Sequence, residues 1–126
     1  MADLADVRRI ARSLPGSVEG TDRFGFGVEV KGKVKGFCWS WLERLEPKKA
    51  RVENLTVLAV RVDGAAAKQE LLDVDAEKFF TEPHYNGYPA VLVRLAAVEP
   101  DELRELLTDA WWCTAPKDLR AQLPRE

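Results

Sequence analysis

Apolar positions along the chain change period several times, and each change marks an element. Leu4, Val7, Ala11 and Leu14 recur at three- and four-residue steps, which predicts a helix over 3–14 with one apolar face. Asp3 can cap its start, Asp6 favours the positive end of the helix dipole, and Pro15-Gly16 ends it. The period then becomes two. "RFGFGVEV" (23–30) and "VKGFCWSW" (34–41) flank "KGK", which predicts a hairpin with Gly32 at its tip. Strict alternation on the second strand places Phe37, Trp39 and Trp41 on one face.

The stretch 42–54, "LERLEPKKARVEN", is charged and contains Pro47. It reads as a mobile connection, because it has little to bury. "LTVLAVRV" (55–62) predicts a third strand and "AAAKQELL" (65–72) a helix capped by Asp63. Asp75 is expected to start a short helix through "AEKFF", and "AVLVRL" (90–95) gives a fourth strand. A long helix begins near Pro100, with Leu103, Leu106, Leu107 and Ala110 on its buried face, and Pro116 breaks it. "KDLRAQL" (117–123) can add a short terminal helix. The order α-β-β-β-α-β-α predicts an α+β fold, a two-layer sandwich of an antiparallel sheet with helices on one face.

With 126 residues, the chain is expected to form one domain over 1–126 with a single core. The charged start of the chain lacks the apolar stretch of a signal peptide, and "LTVLAV" is far too short to cross a bilayer. A soluble, cytoplasmic monomer is the expectation. Cys38 and Cys113 lie far apart without CxxC spacing. They read as reduced thiols and, with His84, are too few and too scattered for a zinc site. No metal and no cofactor are expected.

Charge is uneven. The net charge is −2, yet 23–51 holds eight basic residues against three acidic ones, hence +5 there and −7 elsewhere. Lys31, Lys33 and Lys35 decorate the hairpin, and Lys48, Lys49 and Arg51 the following loop. Arg61 and Arg94 interrupt apolar strands and are expected to point away from the helices. Together these eight residues could contact phosphates. The same lysines could equally protect an edge strand from aggregation, and arginines on a solvated sheet face are ordinary.

"FFTEPHYNGYPAVLVRL" (79–95) carries the one histidine and both tyrosines. Asn86-Gly87 is a strong turn pair, so the segment reads first as a structural corner. A ligand-binding role for His84, Tyr85 and Tyr88, with the 81–89 loop and the tryptophans shaping a pocket for a small molecule or a protein, is the alternative. Catalysis by His84 ranks below both, since no serine or cysteine nucleophile is near it in sequence. The carboxylates of "DELRE" (101–105) suit the first turn of an exposed helix.

"DVRRIARSLPGSVEGT", "FFTEPHYNGYPAVLVRL" and "DELRELLTDAWWCTAPKDL" together resemble the MmcQ/YjbR family of small bacterial proteins. The resemblance runs over nearly the whole chain in the family's order. It implies a fold like that of CyaY, the bacterial frataxin, also described as a double-wing DNA-binding arrangement. It implies a non-enzymatic DNA-binding protein and brings no catalytic residues. The frataxin-like shape suggests iron, but frataxins use a dense acidic ridge on their first helix. Here Asp3 and Asp6 stand against Arg8, Arg9 and Arg12, so iron binding is not carried over.

Overall fold

The computed structural model describes residues 1–123; the last three residues of the expected domain lie outside the described residues. The chain runs α1 (Leu4–Ser13), β1 (Ser17–Glu19), β2 (Gly25–Val30), β3 (Lys33–Glu43), β4 (Val52–Arg61), α2 (Gly64–Val74), β5 (Phe79–Phe80), β6 (Ala90–Arg94), α3 (Pro100–Thr114) and α4 (Lys117–Arg120). Its six-stranded sheet has the order β1-β2-β3-β4-β6-β5, and every pairing is antiparallel. This is the expected α+β architecture.

Local chemistry explains the element ends. Asp3 and Asp6 form a reciprocal capping box at the start of α1, which satisfies two orphan donors. Val30 pairs with Lys33, so Lys31-Gly32 is a two-residue turn, and both residues have positive φ (52° and 82°). A type I′ turn requires that, and its twist matches the flanking strands. Val7, Ile10 and Ala11 of α1 and Leu103, Leu107, Ala110 and Trp111 of α3 pack with Phe26, Val28, Phe37, Leu58, Val60, Val91 and Val93 into the main core. Trp111 is fully buried, and its indole donates to the Pro15 carbonyl at 2.8 Å. Leu71 of α2 packs against the same core.

Three expectations are corrected. The connection over 42–54 is strand at both ends: Trp41, Leu42 and Glu43 pair with Asn54, Glu53 and Val52, which narrows the loop to 44–51. Buried polar anchoring replaces the missing apolar burial, because Glu53 accepts from the Ser40 hydroxyl (2.6 Å) and the Phe24 amide (3.1 Å). The expected helix "AEKFF" is a turn leading into β5, since Phe79 and Phe80 pair with Val93 and Leu92. Cross-strand pairing overrides local pattern there. Third, Phe37, Trp39 and Trp41 do not share a face. Phe26 pairs with Cys38 but Gly27 with Gly36, so Phe37 is an extra, bulged residue. Alternation resets at a bulge. Phe37 enters the main core, while Trp39 and Trp41 pack on the opposite face around Val57, Ala59, Tyr85, Ala90 and Leu92. β1 is a short edge strand with no expectation behind it; its Glu19 is tied to Arg8 and Arg12 of α1 at 3.2 and 2.8 Å.

Burial pushes the Cys38 thiol up to about 12, which keeps it protonated and unreactive at neutral pH. The Ser40 hydroxyl, then the Phe24 N–H, hold the Glu53 carboxyl below its ordinary value. A carboxyl depressed in the folded state stabilises the fold above its ordinary pKa, and that contribution disappears as pH falls through the folded value. Glu53→Gln should therefore lower the urea midpoint near neutral pH and flatten its decline between about pH 5 and 3. Urea titrations of both proteins across that range check this; parallel curves would exclude the assigned role.

Candidate functional site

The corner between β5 and β6 is built from backbone geometry. Pro83–Tyr85 forms one 3₁₀ turn, and the Tyr85 amide donates to the Glu82 carbonyl at 2.8 Å. Asn86 (φ −62°, ψ 128°) and Gly87 (φ 77°) then make a type II turn, closed by the Tyr88 amide on the Tyr85 carbonyl at 3.0 Å. Glycine is required at the third position of such a turn because φ is positive there. Lys68 of α2 locks the result. It is 8% exposed, and its ammonium donates to the carbonyls of Tyr85 and, at 2.9 Å, of Tyr88. Desolvation holds its pKa below the ordinary lysine value.

Tyr85, thus fixed, is buried, and its hydroxyl accepts from the Trp39 indole at 3.0 Å. Tyr88 stays exposed and meets Trp39 and Tyr85 edge-on, with centroids at 6.3 and 6.0 Å. The Arg61 guanidinium lies 5.6 and 5.8 Å from the ring centres of Trp39 and Tyr88, and its Nε donates to the Gly36 carbonyl at 2.8 Å. Cation–π attraction and a charged hydrogen bond orient it. Arg94 is 4.0 Å from the Phe80 ring centre and donates to the Ala76 carbonyl at 3.0 Å. Arg23, Trp39, His84, Tyr85 and Tyr88 enclose a cleft of about 270 Å³ beside these groups. His84 is exposed and touches Tyr85 edge-on at 5.7 Å.

The strand register sorts the basic residues. Residues directly opposite on paired strands share a face. Lys33 and Lys35 face Val30 and Val28, so they emerge on the helix-bearing side of the sheet. Arg61 and Arg94 lie in register with Ala90 and Val57, on the other side, as expected for those two. Lys31 occupies the hairpin tip, and Lys48 and Lys49 lie in the 44–51 loop at the far end of β3; all are exposed. Arg51 is half-buried and spends one donor on the Leu42 carbonyl at 2.9 Å. Among the described residues, no ion pair engages Lys31, Lys33, Lys35, Lys48 or Lys49. Glu102 of "DELRE" is held by Lys78 at 3.0 Å.

The structure thus sets Arg61 against Tyr88, gathers His84, Tyr85 and Tyr88 round one cleft, and leaves the lysines at two separate tips. It adds Arg23, which the sequence does not single out for this site, and of the tryptophans it brings Trp39 to the cleft. Trp39 reaches it only because of the bulge at Phe37. Arg23 reaches it from the loop after β1, where no periodicity constrains direction.

A family model described as YjbR matches residues 12–113. The chain is 36% identical over 120 residues to the uncharacterized protein Rv2570 of Mycobacterium tuberculosis and to the uncharacterized protein Mb2600 of Mycobacterium bovis, covering 94% of this chain and 93% of each relative. The crystal structure of Deinococcus radiodurans protein DR2400, with family-model domain DUF419, superposes with a TM-score of 0.71 at 21% identity, over 98% of this chain and 88% of that one. That likeness shows the fold. Among the described residues, no helix is long and apolar enough to cross a membrane.

Lys68→Met removes both bonds to the corner while keeping the apolar stem. Each carbonyl keeps a backbone donor, the Tyr88 amide on Tyr85 and the Ala90 amide on Tyr88, so losing the two charged hydrogen bonds should destabilise the protein by about 1–3 kcal/mol. The amides of Asn86, Gly87 and Tyr88 should exchange faster, and the Trp39 environment should change. Hydrogen exchange read by NMR checks this; protection equal to wild type would show that the turn holds itself.

Proposed function

The chain belongs to the YjbR family, and from that premise and the geometry we propose that it is a non-enzymatic DNA-binding protein of the cytoplasm that contacts phosphates. The observation that carries the reading is the pair of unneutralised basic tips. Lys31, Lys33 and Lys35 mark one end of β3, and Lys48 and Lys49 the other. β3 is 11 residues long, about 35 Å at roughly 3.3 Å per residue, close to one turn of B-form duplex, about 34 Å. Two tips with that spacing can reach phosphates one turn apart along a duplex. Arg61, Arg94 and Arg51 each spend a donor on a backbone carbonyl, so they act as oriented supports more than as free cations. The contacts proposed are to the backbone, with no base readout.

Reversing charge at Lys31, Lys33 and Lys35 to Glu should leave the exposed hairpin folded and weaken binding to a random duplex by at least tenfold. Wild type should bind in the non-specific range, about 10⁻⁴ to 10⁻⁶ M at physiological salt, with a slope of roughly −0.9 per phosphate contacted. Fluorescence anisotropy across a salt series measures both. Affinity and slope unchanged in the variant, or no wild-type binding at low salt, would overturn the reading.

A further inference from the structure

The cleft beside the corner gathers hydrogen-bond donors. Arg23, Trp39, His84, Tyr85 and Tyr88 line its space of about 270 Å³, and among the described residues no aspartate or glutamate does. Tyr85 is only 7% exposed. Its hydroxyl accepts from the Trp39 indole at 3.0 Å, in a bond that is only partly buried. A phenol hydroxyl can accept and donate at once. Among the described residues, no acceptor takes the Tyr85 proton. A well-fixed, nearly buried side chain therefore keeps one donor unspent in the wall of the cleft.

Arg23 supplies the charge. It is half-buried, and among the described residues no ion pair engages its guanidinium. Glu53 attracts it electrostatically, but that carboxylate is tied to the Ser40 hydroxyl and the Phe24 amide. His84 is exposed, and an imidazole always carries at least one ring N–H. Aromatic walls alone would suit a cation. Here Arg61 already holds that place, 5.6 and 5.8 Å from the ring centres of Trp39 and Tyr88. With Arg23 as a second positive charge, the cleft favours an anion.

We propose that this cleft binds a phosphomonoester carrying a flat ring, the chemistry of a 5′-nucleotide. The phosphate would take the Arg23 fork, the spare Tyr85 proton and a His84 N–H. The attached ring would rest against Trp39 and Tyr88. A planar guanidinium matches two phosphate oxygens with parallel hydrogen bonds. A carboxylate offers only two coplanar oxygens, whereas a phosphomonoester spreads three around a tetrahedral centre. That spread suits donors arriving from separate elements: Arg23 from the loop after β1, and His84 and Tyr85 from the 3₁₀ turn. Trp39, Tyr85 and Tyr88 already meet edge-on, and aromatic side chains give a further ring a favourable contact. The same chemistry occurs in a free nucleotide and at the 5′-phosphate end of a DNA strand. No lysine of the two tips lines the cleft, so the site stands whether or not those tips bind DNA.

The test is a ¹⁵N chemical-shift titration with adenosine 5′-monophosphate and with adenosine, read at the Trp39 indole and the Tyr85 and Tyr88 amides. The monophosphate should saturate the shifts, and adenosine should bind at least tenfold more weakly. Arg23→Gln should erase that preference while its dispersed spectrum shows a folded chain. His84→Ala, at an exposed position, should weaken the monophosphate several-fold and leave adenosine unchanged. The protein with Lys31, Lys33 and Lys35 changed to Glu should bind the monophosphate as wild type does, which separates this site from the DNA reading. Hexathymidine with and without a 5′-phosphate then identifies the source. At least tenfold preference for the phosphorylated strand assigns the cleft to strand ends; equal affinity for the two strands, with the monophosphate bound, assigns it to free nucleotides. No saturable shift of the Trp39 indole at millimolar monophosphate would overturn the proposal. So would equal affinity for the monophosphate and adenosine, or an Arg23→Gln protein that keeps the preference.

Discussion

One extra residue in β3 organises the molecule. Phe26 pairs with Cys38 and Gly27 with Gly36, so Phe37 has no partner. The two strands run so close there that a Cβ on Gly27 would lie 2.6 Å from the Lys35 carbonyl oxygen, and one on Gly25 3.0 Å from that of Cys38. Glycine is required at 27, and at 25 a side chain would press on the neighbouring strand. The bulge turns Phe37 into the main core and hands Trp39 and Trp41 to the other face. Strict alternation would have kept all three rings together and starved one of the two clusters. A second irregularity between Ser40 and Trp41 adds local bending and twist, the usual consequence of unequal strand lengths.

The second face needs a lid, and the corner supplies one. Lys68 reaches from α2 to the Tyr85 and Tyr88 carbonyls, Tyr85 reaches Trp39, and the Trp39 ring closes over Gly36, where a Cβ would stand 3.3 Å from it. Arg61 completes the circuit on the Gly36 carbonyl. Burying an ammonium costs free energy, and two carbonyl acceptors offset it. So the "HYNGY" segment is a structural corner, as its turn residues suggest. Its outward side also lines a cleft, because Tyr88 and His84 remain exposed.

Much of the frame is legible in the residues. The α1 cap at Asp3, the Lys31-Gly32 hairpin, the α3 start at Pro100 and the strands after Leu55 and Ala90 follow from periodicity and turn chemistry. What is hidden depends on partners distant in sequence. Nothing local to Val52, Glu53 and Asn54 announces a strand; Ser40 and Phe24 make Glu53 worth ordering. Phe79 and Phe80 read as helix until Val93 and Leu92 offer pairing. The face occupied by Lys33 and Lys35 depends on register, which the opposing Val30 and Val28 set. The candidate site shares this logic. Arg61 and Arg94 are visible as charges inside apolar runs, whereas Arg23 and Trp39 join them only through a bulge and a loop.

An acidic chain that presents cationic tips is no contradiction once pairing is considered. Arg8 and Arg12 are balanced by Glu19, Arg9 by Asp6 and Lys78 by Glu102, whereas the β2–β3 tip and the 44–51 loop hold theirs without ion pairs among the described residues. At physiological salt, charges farther apart than about 8 Å scarcely feel one another. Two tips at opposite ends of an 11-residue strand therefore act as independent charge clusters, and net charge says little about either. If both engage one duplex, the second contact is intramolecular, and its strength depends on how rigidly β3 holds the spacing. That rigidity comes from β2 and β4, which flank β3 and pair with it along nearly its whole length. On the DNA-binding reading, the sheet's role is to hold two weak contacts at a fixed separation.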